Sequence, residues 1–149
     1  MSDTGHWIAQ GLDLDPAGAI GFVYLIVDLE TKQKYIGKKN FKGRGKANKG
    51  KQSNWKEYCS SSKAVQALIA EKGKDAFAFI ILEQYFTLGG LSFAETWCQT
   101  ICEIPSNNDE FLNRFIDKVT WKVTEPVTQR HRKRLRYYLN KYKYEQVQN

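Results

Sequence analysis

No apolar run in this chain approaches the ~20 residues a membrane-spanning helix requires, so no such helix is expected. The first residues, Met1-Ser-Asp-Thr-Gly-His6, lack the basic start and apolar stretch of a secretory signal. Cysteine is scarce and odd in number, three residues, which does not make a disulfide framework. Cys98 and Cys102 are four apart on one stretch, yet no Cys or His pair stands near them to complete four metal ligands. They read as structural thiols in a reducing cytoplasm. Internal repeats are absent, and so is any acidic residue between positions 31 and 53.

What is present suffices for one folded domain. The 149 residues are 42% hydrophobic and 13% aromatic, enough to bury a core without staples. The net charge of +7 is unevenly spread. Residues 31 to 53 hold nine Lys/Arg, residues 118 to 144 hold nine against Glu125 alone, and the segment between nets −4. Two basic blocks around a mildly acidic body, with tyrosines interleaved in both, suit a polyanion such as nucleic acid. A solvated face kept for solubility is the other reading.

Gly21-Phe-Val-Tyr-Leu-Ile-Val-Asp28 and Lys34-Tyr-Ile-Gly-Lys-Lys39 are β-branched and aromatic runs joined by Leu29-Glu-Thr-Lys-Gln33, which predicts an antiparallel hairpin. A turn centred on Leu29 and Glu30 would set Tyr24 opposite Tyr35, about 5 Å apart at Cβ. Residues 1 to 19 read as an irregular arm carrying Trp7, with residues 20 to 115 as the main domain and 116 to 149 as a basic helical extension. Residues 40 to 53 read as a glycine-rich basic loop in which Arg44 offers a planar fork for phosphate oxygens.

A helix is expected from the serines at 60 to 62 to Gly73, with Val65, Leu68 and Ile69 inward. Ala76 to Tyr85 reads as a buried central strand. A second helix is expected from Ser92, with Phe93, Trp97, Ile101 and Ile104 as its apolar stripe and Glu95 on or beside a buried face. A buried acid needs a cation, a metal or hydrogen bonds. The last helix is expected from a Thr124 cap through Pro126 to Tyr144. Leu135, Tyr138, Leu139 and Tyr142 would form its stripe, with Arg130, Arg132, Lys133, Arg134 and Arg136 around it. The isolated His131 sits among those arginines, where it could contact phosphate.

Phe22-Val-Tyr24, followed eleven positions later by Tyr35-Ile-Gly37, resembles the signature of the GIY-YIG nuclease superfamily, most of all its small phage-type endonucleases. Arg44, Glu95 within Phe93-Ala-Glu-Thr-Trp97, and Asn113 within Phe111-Leu-Asn113 follow in the order of the family's other marks. The resemblance implies an α+β fold with a three-stranded antiparallel sheet flanked by helices, here with a basic C-terminal helix. It implies a DNA endonuclease using one Mg²⁺, or Mn²⁺, held by Glu95. In that scheme Tyr24 activates water, Tyr35 positions water or phosphate, and Arg44 binds the scissile phosphate with Lys42 or Lys46 sharing its role. Asn113 orients a ligand or supports Glu95. Lys39, on the tyrosine face of its strand, is the helper expected to lower the Tyr24 pKa. Lys38, Lys42, Lys46 and the basic residues at 130, 132, 133, 134 and 136 are the expected contacts to DNA. The rivals are a catalytically silent DNA-binding member, an RNA-binding or ribonucleoprotein component, and an accessory protein that binds a partner.

The charge pattern yields a salt prediction. Binding to duplex DNA should fall linearly in log–log form with monovalent salt, with a slope near −0.9 per phosphate neutralised. A fluorescence-anisotropy titration from low to high salt measures this, and a flat response would remove DNA as the polyanion.

Overall fold

Every residue of the strand β2 (Gly21–Asp28) is buried, so both its faces must be covered, and the fold is arranged to do so. This computed structural model describes residues 3–43 and 50–145. β2 pairs antiparallel with β3 (Lys34–Asn40) on one side and with β4 (Phe77–Tyr85) on the other. A two-residue strand β1 (Trp7–Ile8) adds parallel to β4, giving the order β1-β4-β2-β3. The expected three-stranded antiparallel sheet therefore has a fourth, parallel strand. It comes from the supposed irregular arm, where Trp7 is buried and its indole N–H donates to Trp55 O at 2.6 Å. Two residues are too few to print a strand pattern.

Alternation along the strands sorts the core into two layers. Val23, Leu25, Ile36 and Ile80 face the helices α2 (Leu88–Ile101) and α3 (Gln129–Lys141). Phe22, Tyr24, Ile26 and Phe79 face Trp7, Trp55 and α1 (Lys63–Lys72). Fully burying a side chain such as Phe22 or Leu25 contributes about 1.5–3 kcal/mol, which is why the runs are continuous rather than alternating polar and apolar.

The hairpin register differs from expectation by two positions. Tyr24 pairs with Gly37 and Tyr35 with Ile26, because the connection runs through Thr31 with Lys32 at φ 64° rather than turning at Leu29. Parity survives the change, so both tyrosines keep the same face. α1 begins at its Ser62 cap and ends at Gly73, φ 87°, as expected.

α2 starts at Leu88 behind a Thr87 cap, four residues before the expected Ser92. Gly89 and Gly90 weaken a helix by about 1 kcal/mol each, which hides its first turn in the sequence. They are there because a Cβ on Gly89 would collide with Lys122 O, and one on Gly90 with Glu125. The Glu125 carboxylate accepts from the N–H groups of Phe86 and Thr87 at 3.0–3.1 Å, at the positive end of the helix. The buried face of α2 is Leu91, Ala94, Glu95, Cys98 and Gln99, while Phe93 and Ile101 of the expected stripe are exposed.

α3 starts from Thr128 rather than Thr124 and docks through a β-bulge. Between Val23 and Tyr24 the β4 register slips by one, which turns Glu83 and Tyr85 to the same face as Leu82. Glu83 then receives Arg130 through Nε at 2.8 Å and Nη2 at 2.7 Å. Tyr85 Oη meets His131 Nδ1 at 2.7 Å, and His131 Nε2 meets Cys98 Sγ at 3.3 Å. His131 is thus wholly buried and cannot contact phosphate. Cys59, Cys98 and Cys102 are free thiols, the last two buried as expected. Among the described residues no helix is long and apolar enough to cross a membrane.

Burial, reinforced by the Arg132 and Arg134 charges, depresses the His131 pKa from 6.5 to about 4. Between those values the unfolded chain binds the proton and the native one does not, so stability is full above pH 6.5 and is lost as pH falls toward 4. A displacement of that size is worth about 3 kcal/mol. Urea midpoints taken at several pH values should show this slope in the natural protein and a shallower one in His131→Phe. Equal slopes would show that His131 does not carry the effect.

Candidate active site

β3 is an edge strand, and half of its outer edge is covered. Lys34 N–H donates to Glu110 O at 2.8 Å, and Lys34 O accepts from Leu112 N–H at 2.7 Å. Asn113 then replaces a backbone partner with its side chain: Oδ1 accepts from Ile36 N–H at 2.9 Å and Nδ2 donates to Ile36 O at 2.8 Å. This occupies both ends of the buried Asn113 amide, so its visible work is to clamp the edge. The next outward-facing position is Lys38, and there the edge opens onto a cavity of about 900 Å³. Tyr24, Tyr35, Lys38, Lys39, Glu95 and Asn113 all line it. The cavity wraps around the edge, so residues from opposite faces of the sheet meet in it.

The tyrosines come from one face. Tyr24 lies across β3 directly over its pairing partner Gly37, where a Cβ would fall less than 3.0 Å from the phenol Oη and Cζ. Only a residue without a side chain lets that ring reach the edge. The Tyr24 and Tyr35 rings stack with centroids 6.3 Å apart, and Tyr58 packs edge-on to Tyr24 at 6.1 Å. Ser60 lies beside both phenols and lowers the pKa of each, against the larger effect of burial. Ser60, itself buried, adopts φ 102°, a conformation costing a non-glycine residue about 1–3 kcal/mol.

Burial drives the Tyr24 pKa well above 10, with Tyr58 and Tyr35 adding to the rise and Ser60 opposing it. The sequence-based expectation of a lowered value is not met. Lys39, expected beside Tyr24, instead lies 4.3 Å over the Tyr58 ring, its own pKa lowered by burial. Tyr35 is pushed up to about 12, first by burial and then by the Asp117 and Glu95 carboxylates.

Glu95 arrives from α2 on the other face. It is 3% exposed and pairs with Lys38 Nζ at 3.1 Å. Burial raises its pKa to about 7; Lys38 offsets part of the rise, and the neighbouring Asp117 adds to it. The ion pair therefore does not cancel desolvation, and the carboxyl is poised to gain from a further cation. Asp117 is held by Gln99, whose Nε2 donates to Oδ2 at 3.0 Å and whose Oε1 accepts from Asp117 N–H at 2.8 Å. Among the described residues no group of three or more His, Cys, Asp or Glu is placed to cage a metal. One or two carboxylates completed by water and phosphate oxygens is the donor set Mg²⁺ accepts, and Glu95 with Asp117 fits it.

The remaining expected residues divide. Arg44 and Lys46 lie outside the described residues. Lys42 lines the cavity and donates to Ala17 O. Arg130 is bound to Glu83, and Arg134 donates to Ile81 O at 2.6 Å and to Gln10 O. Arg132 stacks 4.8 Å over Trp97. These three are drawn into the body rather than ringing the helix freely, while Lys133 and Arg136 face solvent. Sequence reasoning missed Tyr58, Ser60, Arg114 and Asp117. A tyrosine beside the basic loop was a usable signal for Tyr58. Nothing local marks Asp117, which matters only because α2 brings Gln99 and Glu95 to it.

A family model described as "Putative endonuclease segE, GIY-YIG domain" matches residues 7–116, a span that takes in β1 through Asn113. No curated protein and no solved structure matches the chain significantly.

The Tyr24–Gly37 contact is open to a double-mutant cycle. Gly37→Ala should destabilise the fold by about 1–3 kcal/mol through overpacking, and by less in a Tyr24→Phe background where the crowding oxygen is gone. Urea denaturation of the four proteins measures the coupling; an identical cost in both backgrounds would place the crowding elsewhere.

Proposed function

Because the chain belongs to the GIY-YIG endonuclease family, we propose that it is a divalent-metal-dependent DNA endonuclease that hydrolyses phosphodiester bonds at the open edge of β3. One observation carries the reading. Two tyrosines from one face of the sheet and a buried glutamate from the other converge in a single cavity rimmed by Lys38, Lys39, Lys42 and Arg114. Hydrolysis needs a positioned water, charge stabilisation at the phosphoryl oxygens and help for the leaving oxygen.

Tyr24 Oη, lining the cavity, would orient the attacking water. Burial keeps it a phenol in the free protein, and in that form it would orient the water by hydrogen bonding rather than take its proton. Tyr35 Oη, half-buried beside Asp117 and Glu95, orients the phosphate. Lys38, Lys42 and Arg114 neutralise phosphate charge, and Arg44 is assigned the same work by its place in the family motif. Glu95 and Asp117 would hold Mg²⁺ or Mn²⁺, which when bound supplies charge neutralisation at the phosphoryl oxygens and a more acidic water. Asn113 keeps the edge of β3 fixed beside them. The DNA is proposed as double-stranded, and the free thiols suit a cytoplasmic setting.

A catalytically silent, DNA-binding member is the second reading, favoured by the raised Tyr24 pKa. Supercoiled plasmid separates the two. Nicking is expected with Mg²⁺, none with EDTA, and none with Glu95→Ala. Tyr24→Phe should lower the rate about 100-fold or more while leaving DNA affinity near that of the natural protein. Undiminished nicking by Glu95→Ala would sink its assignment, and tight binding without cleavage under any divalent ion would establish the silent reading.

A further inference from the structure

Phe115 stands at the mouth of the same cavity with 67% of its surface exposed, more than any other large apolar side chain among the described residues. A single exposed phenylalanine on a slack loop calls for no explanation. This one is held out by a fixed backbone. On its N-terminal side Leu112 N–H is bonded to Lys34 O and Asn113 clasps both polar groups of Ile36. On its C-terminal side Asp117 N–H donates to Gln99 Oε1, and Ile116 packs into the core. With anchors before and after it, the backbone that carries the ring is held at the mouth of the site.

The surroundings narrow what would cover it. Arg114, its exposed neighbour, lines the cavity, and Lys63 and Lys42 stand on the rim. A flat apolar ring bracketed by cations matches a nucleotide, which presents an aromatic base joined to an anionic phosphate. A protein partner or a lipid surface would require a broader apolar patch than one ring among Arg114, Asp117 and Lys118 offers.

We propose that Arg114 and Phe115 form a nucleotide-binding subsite beside the reaction centre: Phe115 stacks on a base next to the scissile phosphate, and Arg114 holds an adjoining backbone phosphate. Such a contact fixes which phosphate enters the cavity without reading base identity, since every base has a π-face. It makes Phe115 a positioning residue. The assignment of the scissile phosphate to this cavity rests on the nuclease reading above.

The experiment uses the full chain in EDTA with duplex oligonucleotides in which 5-iododeoxyuridine replaces thymidine at successive positions. After irradiation, adducts are mapped by mass spectrometry. An adduct on the peptide containing Phe115 is expected, lost in Phe115→Leu and kept in Phe115→Trp. Phe115→Leu should weaken binding about 5-fold or more, and Phe115→Trp should restore it. Arg114→Gln should weaken binding and make its salt dependence shallower by about one phosphate. Because the side chains are exposed, thermal midpoints should not move. Wild-type affinity in Phe115→Leu with adducts confined to other aromatics, such as Tyr58 or Tyr137, overturns the proposal, as does the absence of DNA binding. A Phe115 adduct in a chain that never nicks plasmid overturns the nuclease reading and keeps the base contact. Glu95-dependent nicking without that adduct does the reverse.

Discussion

The close approach of the Tyr24 phenol to the bare backbone of Gly37 governs how the site is built. A tyrosine in the middle of a fully buried strand would ordinarily be sealed into the core, out of reach of any substrate. Here the ring crosses the neighbouring strand over the one residue with no side chain and brings its hydroxyl to the sheet edge. Because β3 is the last strand in the order, that edge is also where α2 can deliver Glu95 from the opposite face. Two cores that never touch through the sheet therefore share one cavity around its rim. Asn113 and the chain at 110–112 cover the first half of the edge and leave the rest open.

The electrostatics of the cavity follow from this semi-buried location. Desolvation is the leading influence on Tyr24, Tyr35 and Glu95 alike, and it favours the protonated form of each. Lys38 is close enough to pair with Glu95 but too exposed to reverse the effect. Burial thus holds both tyrosines protonated and leaves the Glu95 carboxyl partly ionised at neutral pH, beneath a cationic rim. The cationic rim attracts a polyanion, and a bound cation would draw the Glu95 carboxyl, poised at about 7, fully into its charged form.

The C-terminal helix shows that positive charge in a sequence is not all surface charge. Arg130 and Arg134 hold the helix to β4, one through the Glu83 carboxylate and the other through a strand carbonyl. The β-bulge before Tyr24 is what turns Glu83 toward the helix, so the irregularity that ends regular pairing with β4 also fixes where α3 sits. Lys133 and Arg136 are left facing solvent.

The sequence by itself determined the hairpin, the buried strand at 77–85, α1 with both its caps, the place of Glu95 on or beside a buried helix face and the membership announced by Tyr24, Tyr35 and Gly37. Each of these is written in local periodicity or in a short fixed spacing. The parity of a strand also put Lys38 and Lys39 on opposite faces, and they are found there. Tertiary structure decided what no local pattern can encode. It drew Trp7 and Ile8 into the sheet, started α2 at glycines that only a crossing chain explains, and buried His131 in a run of arginines. It also set Asp117, Ser60 and Tyr58 beside the two tyrosines. Those placements depend on which segment lies against which, a matter of packing between residues tens of positions apart. Spacing along the chain fixes which face a side chain takes, while its neighbours across that face are fixed only when the layers close.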